Sequence, residues 1–126
     1  MEKSTISGWV RQARHRAKKH DIYNELEMAD VEEIVNHYDC CAYCEEDAET
    51  LDHAFPLKDS APNVAANVLP SCKDCKSAKR SNDLVWMFNN KKITKEQYVA
   101  ILRDMLDRPG GKILREHVKA ITGMLE

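Results

Sequence analysis

Four cysteines stand in two Cys-x-x-Cys pairs, Cys41 with Cys44 and Cys72 with Cys75, separated by 27 residues. Thiolates at this spacing are ligands of closed, tetrahedral zinc sites. Such a site supplies on the order of 10 kcal/mol of apparent binding energy at neutral pH. That is a large share of what holds together a chain of 126 residues with few aromatic side chains. Cys40 could replace Cys41 at a longer spacing, but the two-residue gap matches the second pair, so Cys40 is read as a spare thiol. Between the pairs lie Asp52, His53 and Asn67, in L-D-H-A-F-P-L at 51–57 and A-N-V-L-P-S-C at 66–72. Each alone has an ordinary explanation as a turn cap, a buried imidazole or a turn residue. Placed together in a loop that a metal ties at both ends, they point to a small nuclease.

The surrounding pattern has to position these groups. Residues 50–55 read as a strand, 67–70 as a second strand and Lys73 onward as a helix. Upstream, Ser7 is expected to cap a helix from Gly8 whose thin apolar stripe is Trp9, Val10, Ala13 and Ala17. Residues 21–27 form a connector, and Asp30 with Glu33 resembles a capping box for a short helix to about Tyr38, with Val31, Ile34, Val35 and Tyr38 inward. Downstream, the dense apolar run Leu84–Phe88 extends or restarts the helix begun at Lys73. Thr94 and Gln97 make another capping box, and Tyr98, Ile101, Leu102, Met105 and Leu106 give one apolar face up to Arg108. Pro109-Gly110-Gly111 breaks the chain before a last helix with Ile113, Leu114, Val118, Ile121 and Leu125 inward. The last two helices read as a hairpin, and His117 as a surface or boundary residue. The fold expected is α+β and mostly helical, one domain over residues 1–126.

Charge is segregated along the chain. The net charge is -2, yet Lys3 to Lys19 holds six Lys or Arg and no acid, and Asp21 to Asp52 holds twelve acids and neither Lys nor Arg. From Lys58 to Lys95 there are eight basic residues and three acidic ones. Local basic clusters, rather than the mean, decide phosphate contact, so Arg11, Arg14, Lys18, Lys73, Lys76, Lys79 and Arg80 are candidate nucleic-acid contacts. No apolar run is long enough to span a bilayer, and no N-terminal signal pattern is present. With free-cysteine usage, this gives a reducing, cytoplasmic compartment as the expectation.

The residues C-A-Y-C, L-D-H-A-F-P-L, A-N-V-L-P-S-C and C-K-S-A-K, in this order, resemble the HNH nucleases. These are the zinc-stapled branch of the ββα-metal superfamily, with many phage and mobile-element endonucleases. The resemblance covers about a third of the chain and is specific as a set. It implies a zinc-stapled ββα core over residues 39–83, a basic arm and leading helix over 1–38, and C-terminal helices over 84–126. It also implies DNA as partner, no membrane and no small-molecule cofactor, in a bacterial or phage-infected cell. Two ions are implied, zinc on Cys41, Cys44, Cys72 and Cys75, and a catalytic Mg²⁺ or Mn²⁺ on Asp52. His53 would be the general base, Asn67 would brace the loop that aims it, and Lys79 would contact phosphate.

One position departs from the pattern. The family places Asn or His directly after the fourth cysteine to complete the catalytic metal site, and here that residue is Lys76. An ammonium offers donors and no lone pair, so it cannot ligate a cation while charged. Asp83, on the same helix face, lies roughly 10 Å further along and is too far to replace that ligand. Three consequences follow as alternatives. Asp52 holds the ion with phosphate and water alone, Lys76 itself stabilises transition-state charge, or the site has decayed into a non-catalytic zinc-dependent DNA-binding or protein-interaction module.

Overall fold

Ile6, Val10, Ala13 and Ala17 recur at intervals of three and four, and they are the buried side of α1 (Lys3–Lys19) in the computed structural model of the protein, which describes residues 1–123. The helix begins a full turn before Gly8 because Ile6 extends the apolar stripe, so Ser7 caps nothing. A connector leads to α2 (Met28–Tyr38). It is not slack, since Asn24 forms a parallel bridge with Asn63 and Leu26 is buried. The expected Asp30–Glu33 capping box is absent. Anchored at Leu26, α2 starts two residues before Asp30, Glu27 makes no side-chain cap, and Asp30 stands in the first turn, where its charge favours the helix dipole.

β1 (Thr50–His53) and β2 (Val68–Ser71) form a two-stranded antiparallel sheet with His53 opposite Val68 and Asp52 opposite Leu69. The first strand is shorter than its sequence predicts. Beyond His53, Ala54 still donates to the Asn67 carbonyl, but the next rung is made by a side chain. The Asn67 Oδ1 accepts from the Phe55 N–H at 2.8 Å and its Nδ2 donates to the Phe55 carbonyl at 2.8 Å. Asn67 itself closes a 3-10 turn over Ala65–Asn67 rather than opening β2.

After β2 come α3 (Lys73–Lys79) and α4 (Leu84–Asn89). The helix restarts rather than extends, because Arg80 turns the chain with φ 55° and Asp83 caps α4 by accepting from the Trp86 N–H. α5 (Lys95–Leu106) carries the anticipated Thr94–Gln97 capping box, with both reciprocal bonds formed. α6 (Gly111–Thr122) packs on α5 as the second arm of the hairpin. Leu114 and Val118 face inward as expected, but Ile121 is 50% exposed, and Leu125 lies outside the described residues. None of the described helices is long and apolar enough to cross a membrane.

Apolar side chains form two clusters on either side of the sheet. Leu51 and Val68 join Ile6, Val10, Val31 and Ile34 of the first two helices, whereas Leu69 joins Phe55, Leu84, Met105 and Leu114 on the other side. Successive strand residues point to opposite faces, so Asp52 and His53 are directed into different surroundings although they are neighbours.

The α5–α6 turn is built tightly against the loop before β2. Gly110 has φ +84°, and a Cβ there would lie 2.4 Å from the Val64 Cβ. At Gly8 of α1, by contrast, a Cβ would meet nothing closer than Arg11 Nη2 at 4.0 Å, an ordinary contact. Gly110→Ala should therefore lower stability by about 2 kcal/mol or more through strain and overpacking, while Gly8→Ala should raise it by about 0.5–1 kcal/mol. Urea midpoints at unchanged slope are the check.

Candidate functional site

Sulfur builds one end of the site. The Sγ atoms of Cys41, Cys44, Cys72 and Cys75 all lie within 4.8 Å of one another, and those of Cys44 and Cys72 are 3.6 Å apart. Zinc–sulfur bonds of about 2.3 Å in a tetrahedron put sulfurs about 3.8 Å apart, so the four thiols are positioned to hold one metal ion and suit zinc. Cys40 is outside this group. Backbone bonds shape the first knuckle, where Cys41 N–H donates to Glu46 O at 2.7 Å and Ala42 N–H to Pro70 O at 3.0 Å. The second is the start of α3, whose N-terminal cap is the Cys72 sulfur accepting from Cys75 N–H at 3.3 Å.

From this staple, α3 carries Lys76 and Lys79 back along β1. Lys76 Nζ donates to the Leu51 carbonyl at 2.6 Å, and Lys79 Nζ donates to the His53 carbonyl at 2.9 Å. Lys79 also forms a 3.0 Å ion pair with Asp52 Oδ2, with its side chain 1% exposed. The same carboxylate oxygen accepts from the Tyr43 hydroxyl at 2.8 Å. Burial, then the Asp52 charge, pushes the Tyr43 phenol well above its usual range, which keeps it a donor.

His53, the next residue of β1, has Trp9 of α1 over its ring at a centroid distance of 4.7 Å. Its Nε2 is 2.8 Å from Asn63 Oδ1, and Asn63 Nδ2 in turn donates to Asn24 Oδ1 at 2.8 Å. Because the Asn63 amide is oriented by that second bond, its oxygen accepts from Nε2–H and the lone pair of the imidazole is on Nδ1. Among the described residues Nδ1 has no hydrogen-bond partner. Burial pulls the His53 pKa down to about 3, with Arg16, Lys79 and Lys76 pushing the same way and the Asn63 bond opposing. His53 is therefore neutral at ordinary pH.

The histidine and Asp52 line an open cleft of about 240 Å³. Its other walls bring Arg16, Lys58, Lys76, Lys79 and Arg80 together with His20, against the single carboxylate of Asp52. The side chains of Arg16, His20 and Arg80 make no hydrogen bond or ion pair within the described residues. Burial draws the Lys76 ammonium below the usual lysine range, Asp52 opposes this, and Arg16 and Lys79 add to it.

Several sequence-based expectations are placed differently. Lys79 is an interior cation satisfied by Asp52 and His53, not a surface phosphate contact, because α3 is directed at β1 rather than at solvent. Arg11, Arg14 and Lys18 lie on the side of α1 opposite Trp9, Arg16 and His20, given 3.6 residues per turn. Arg14 is occupied by the Leu26 carbonyl, at 3.0 Å from Nε and 2.7 Å from Nη2. Lys73 is exposed at the start of α3 and does not line the cleft, whereas Lys76 and Arg80 do. Asn67 braces the loop through Phe55 and Pro62, but the residue that holds the imidazole is Asn63.

A divalent ion on Asp52 does not fit these residues. Asp52 Oδ2 is engaged by Lys79 and Tyr43, and the second ligand position that the resemblance implies is filled by Lys76, whose ammonium has no lone pair to offer. No other ligand cluster besides the four cysteines exists among the described residues. Sequence reading places Arg16 on the first helix and His20 as an exposed polar residue without assigning either to the site, although they share a stripe with Trp9 at intervals of seven and four. Asn63 carried no local signal, since its role depends on the distant Asn24. No family model, curated protein or solved structure matches the chain.

Two predictions test this geometry. Cobalt(II) titration should show one thiolate-bound ion per chain in wild type and in Cys40→Ser, and neither that spectrum nor cooperative unfolding should survive in Cys41→Ser. For His53, the unfolded imidazole takes up a proton below about pH 6.5 and the buried one only near pH 3, so stability is full above that window and falls as pH drops through it. Between pH 6.5 and 5 this amounts to about 2 kcal/mol. Urea unfolding at both pH values should show a loss larger by about that amount in wild type than in His53→Gln. Equal losses would mean that the ring is hydrated.

Proposed function

We propose that this chain is an HNH-type endonuclease that hydrolyses DNA phosphodiester bonds. The observation that carries the reading is a neutral imidazole, held through Nε2 by Asn63, in the lining of a cleft with five Lys and Arg side chains. The strand–strand–helix order behind a four-cysteine staple, with Asn67 clamping the intervening loop, is the arrangement that the HNH resemblance implies. Zinc is the structural ion of this reading and closes the knuckles.

In the reaction, the phosphodiester is held by Arg16, Arg80 and Lys76, whose donors are free or partly free. Water is oriented against His53, its oxygen forms the new bond to phosphorus, and its proton passes to Nδ1. The bond from phosphorus to the departing sugar oxygen breaks with its electron pair on that oxygen, which takes a proton from solvent. The cations around the phosphate offset the charge that builds there, and in a partly desolvated cleft they do so more strongly than in bulk water. Asn63 fixes the tautomer that makes Nδ1 the acceptor, so it is a positioning residue.

The alternative, a non-catalytic zinc-dependent DNA-binding or interaction module, draws on the Asp52 carboxylate being closed off by Lys79. Nicking of supercoiled plasmid by zinc-loaded protein separates the two. Wild type should nick, His53→Ala should lose at least about 100-fold, in the range of general-base removal, and both should bind plasmid alike. Binding by both without cleavage by either would leave only the module.

A further inference from the structure

We infer that the two ammonium groups of Lys76 and Lys79 occupy the place of a divalent cation, so that the cleft binds a phosphate group without Mg²⁺ or Mn²⁺. This deepens the nuclease reading at the same site, but its core, metal-free phosphate binding, stands without cleavage.

Charge and geometry carry the inference together. A carboxylate with one divalent ion presents one net positive charge to an incoming phosphate. Asp52 with Lys79 and Lys76 presents the same net charge, since one ammonium cancels the carboxylate and the other remains. The two lysines divide the work of an ion. Lys79 takes the inner position, 3.0 Å from Asp52 Oδ2, buried and fixed also by the His53 carbonyl. Lys76 takes the outer position on the cleft wall, with a single bond, to the Leu51 carbonyl. An ammonium has three donors, so two remain for phosphate oxygens. Arg16 and Arg80 add guanidinium donors that have no partner among the described residues.

A cation bound at Asp52 Oδ2 would have to displace Lys79 and Tyr43 from that oxygen. It would share the cleft with Lys76 and Arg16, with a single carboxylate to hold it. Octahedral ions of the Mg²⁺ kind are held through carboxylates and substrate oxygens, and a site crowded with ammonium groups repels them.

The experiment uses zinc-loaded protein in magnesium-free buffer, with Trp9 as a fluorescence reporter in a Trp86→Phe background and inorganic phosphate as the probe. Phosphate should perturb Trp9 fluorescence at millimolar concentration or below, with an affinity changed less than twofold by added Mg²⁺ and weakened at least tenfold by Lys76→Met. Lys76→Arg should retain most of the binding, which shows that the charge is the property required. Electron paramagnetic resonance of Mn²⁺ should find no site on the protein alone below millimolar concentration. Stoichiometric Mn²⁺ binding, phosphate binding only when Mg²⁺ is added, or no phosphate binding at all would each overturn the inference. Plasmid nicking that requires Mg²⁺ would overturn it too, whereas failure to nick under every condition overturns only the nuclease reading, because phosphate and Mn²⁺ binding are read independently.

Discussion

The buried pair of Asp52 and Lys79 is the contact on which the site depends. Both side chains are almost wholly withdrawn from water, so each ion is tolerable only because the other is 3.0 Å away and because Tyr43 and the His53 carbonyl satisfy what remains. Removing one partner from such a pair leaves an uncompensated charge that costs about 3–5 kcal/mol. The pair also joins three segments of the chain, the first knuckle through Tyr43, β1 through Asp52 and α3 through Lys79. The four cysteines join the same region from the other end, with Cys41 and Cys44 on the knuckle, Cys72 after β2 and Cys75 on α3. A helix of seven residues has little stability of its own. Fixed by sulfur at its start and by an ion pair at its end, α3 is held where its lysines reach the strand.

The cations near His53 act on the base in two opposite ways. In the free protein they join burial in keeping the ring neutral, which leaves Nδ1 a lone pair but a weakly basic one. A phosphate in the cleft would pair with Arg16 and Lys76 and offset their charge. The part of the pKa depression that comes from these groups would then diminish, and the base would strengthen when substrate is in place. On the nuclease reading, the same positive wall recruits the substrate and sets the timing of proton transfer.

What the sequence made legible follows from how local each signal is. Metal-ligand spacing, the Thr94–Gln97 capping box, the apolar face of α5 and the Leu114–Val118 part of that of α6 are written in a few neighbouring residues, and each was readable. The strand–strand–helix order was readable as well, with the strand ends displaced by one or two residues because Asn67 substitutes a carboxamide for a ladder rung. Lys79 and Asn63 were not readable as they stand. Whether a lysine on a short helix is solvated or buried depends on which strand passes beneath it, and that is decided by tertiary packing. The Asn24–Asn63 contact spans 39 residues and leaves no periodic trace.

The N-terminal helix illustrates why a basic run is a poor description of a function. Its stripe of Ile6, Val10, Ala13 and Ala17 docks it on the core, so it has no need of a polyanion to become ordered. Docking then sorts its cations by face. Arg16 and His20 are turned to the cleft with Trp9, Arg14 is consumed by the Leu26 carbonyl, and Arg11 and Lys18 remain on the outer side. Charges on the outer side can attract a polyanion only through a screened field, which fades over roughly 10 Å at moderate salt. On the nuclease reading, those in the cleft would meet a phosphate at hydrogen-bond distance in reduced dielectric, where screening is weaker. The short-range share of binding would then reside in Arg16 and its neighbours from α3, with the helix as one wall of the cleft.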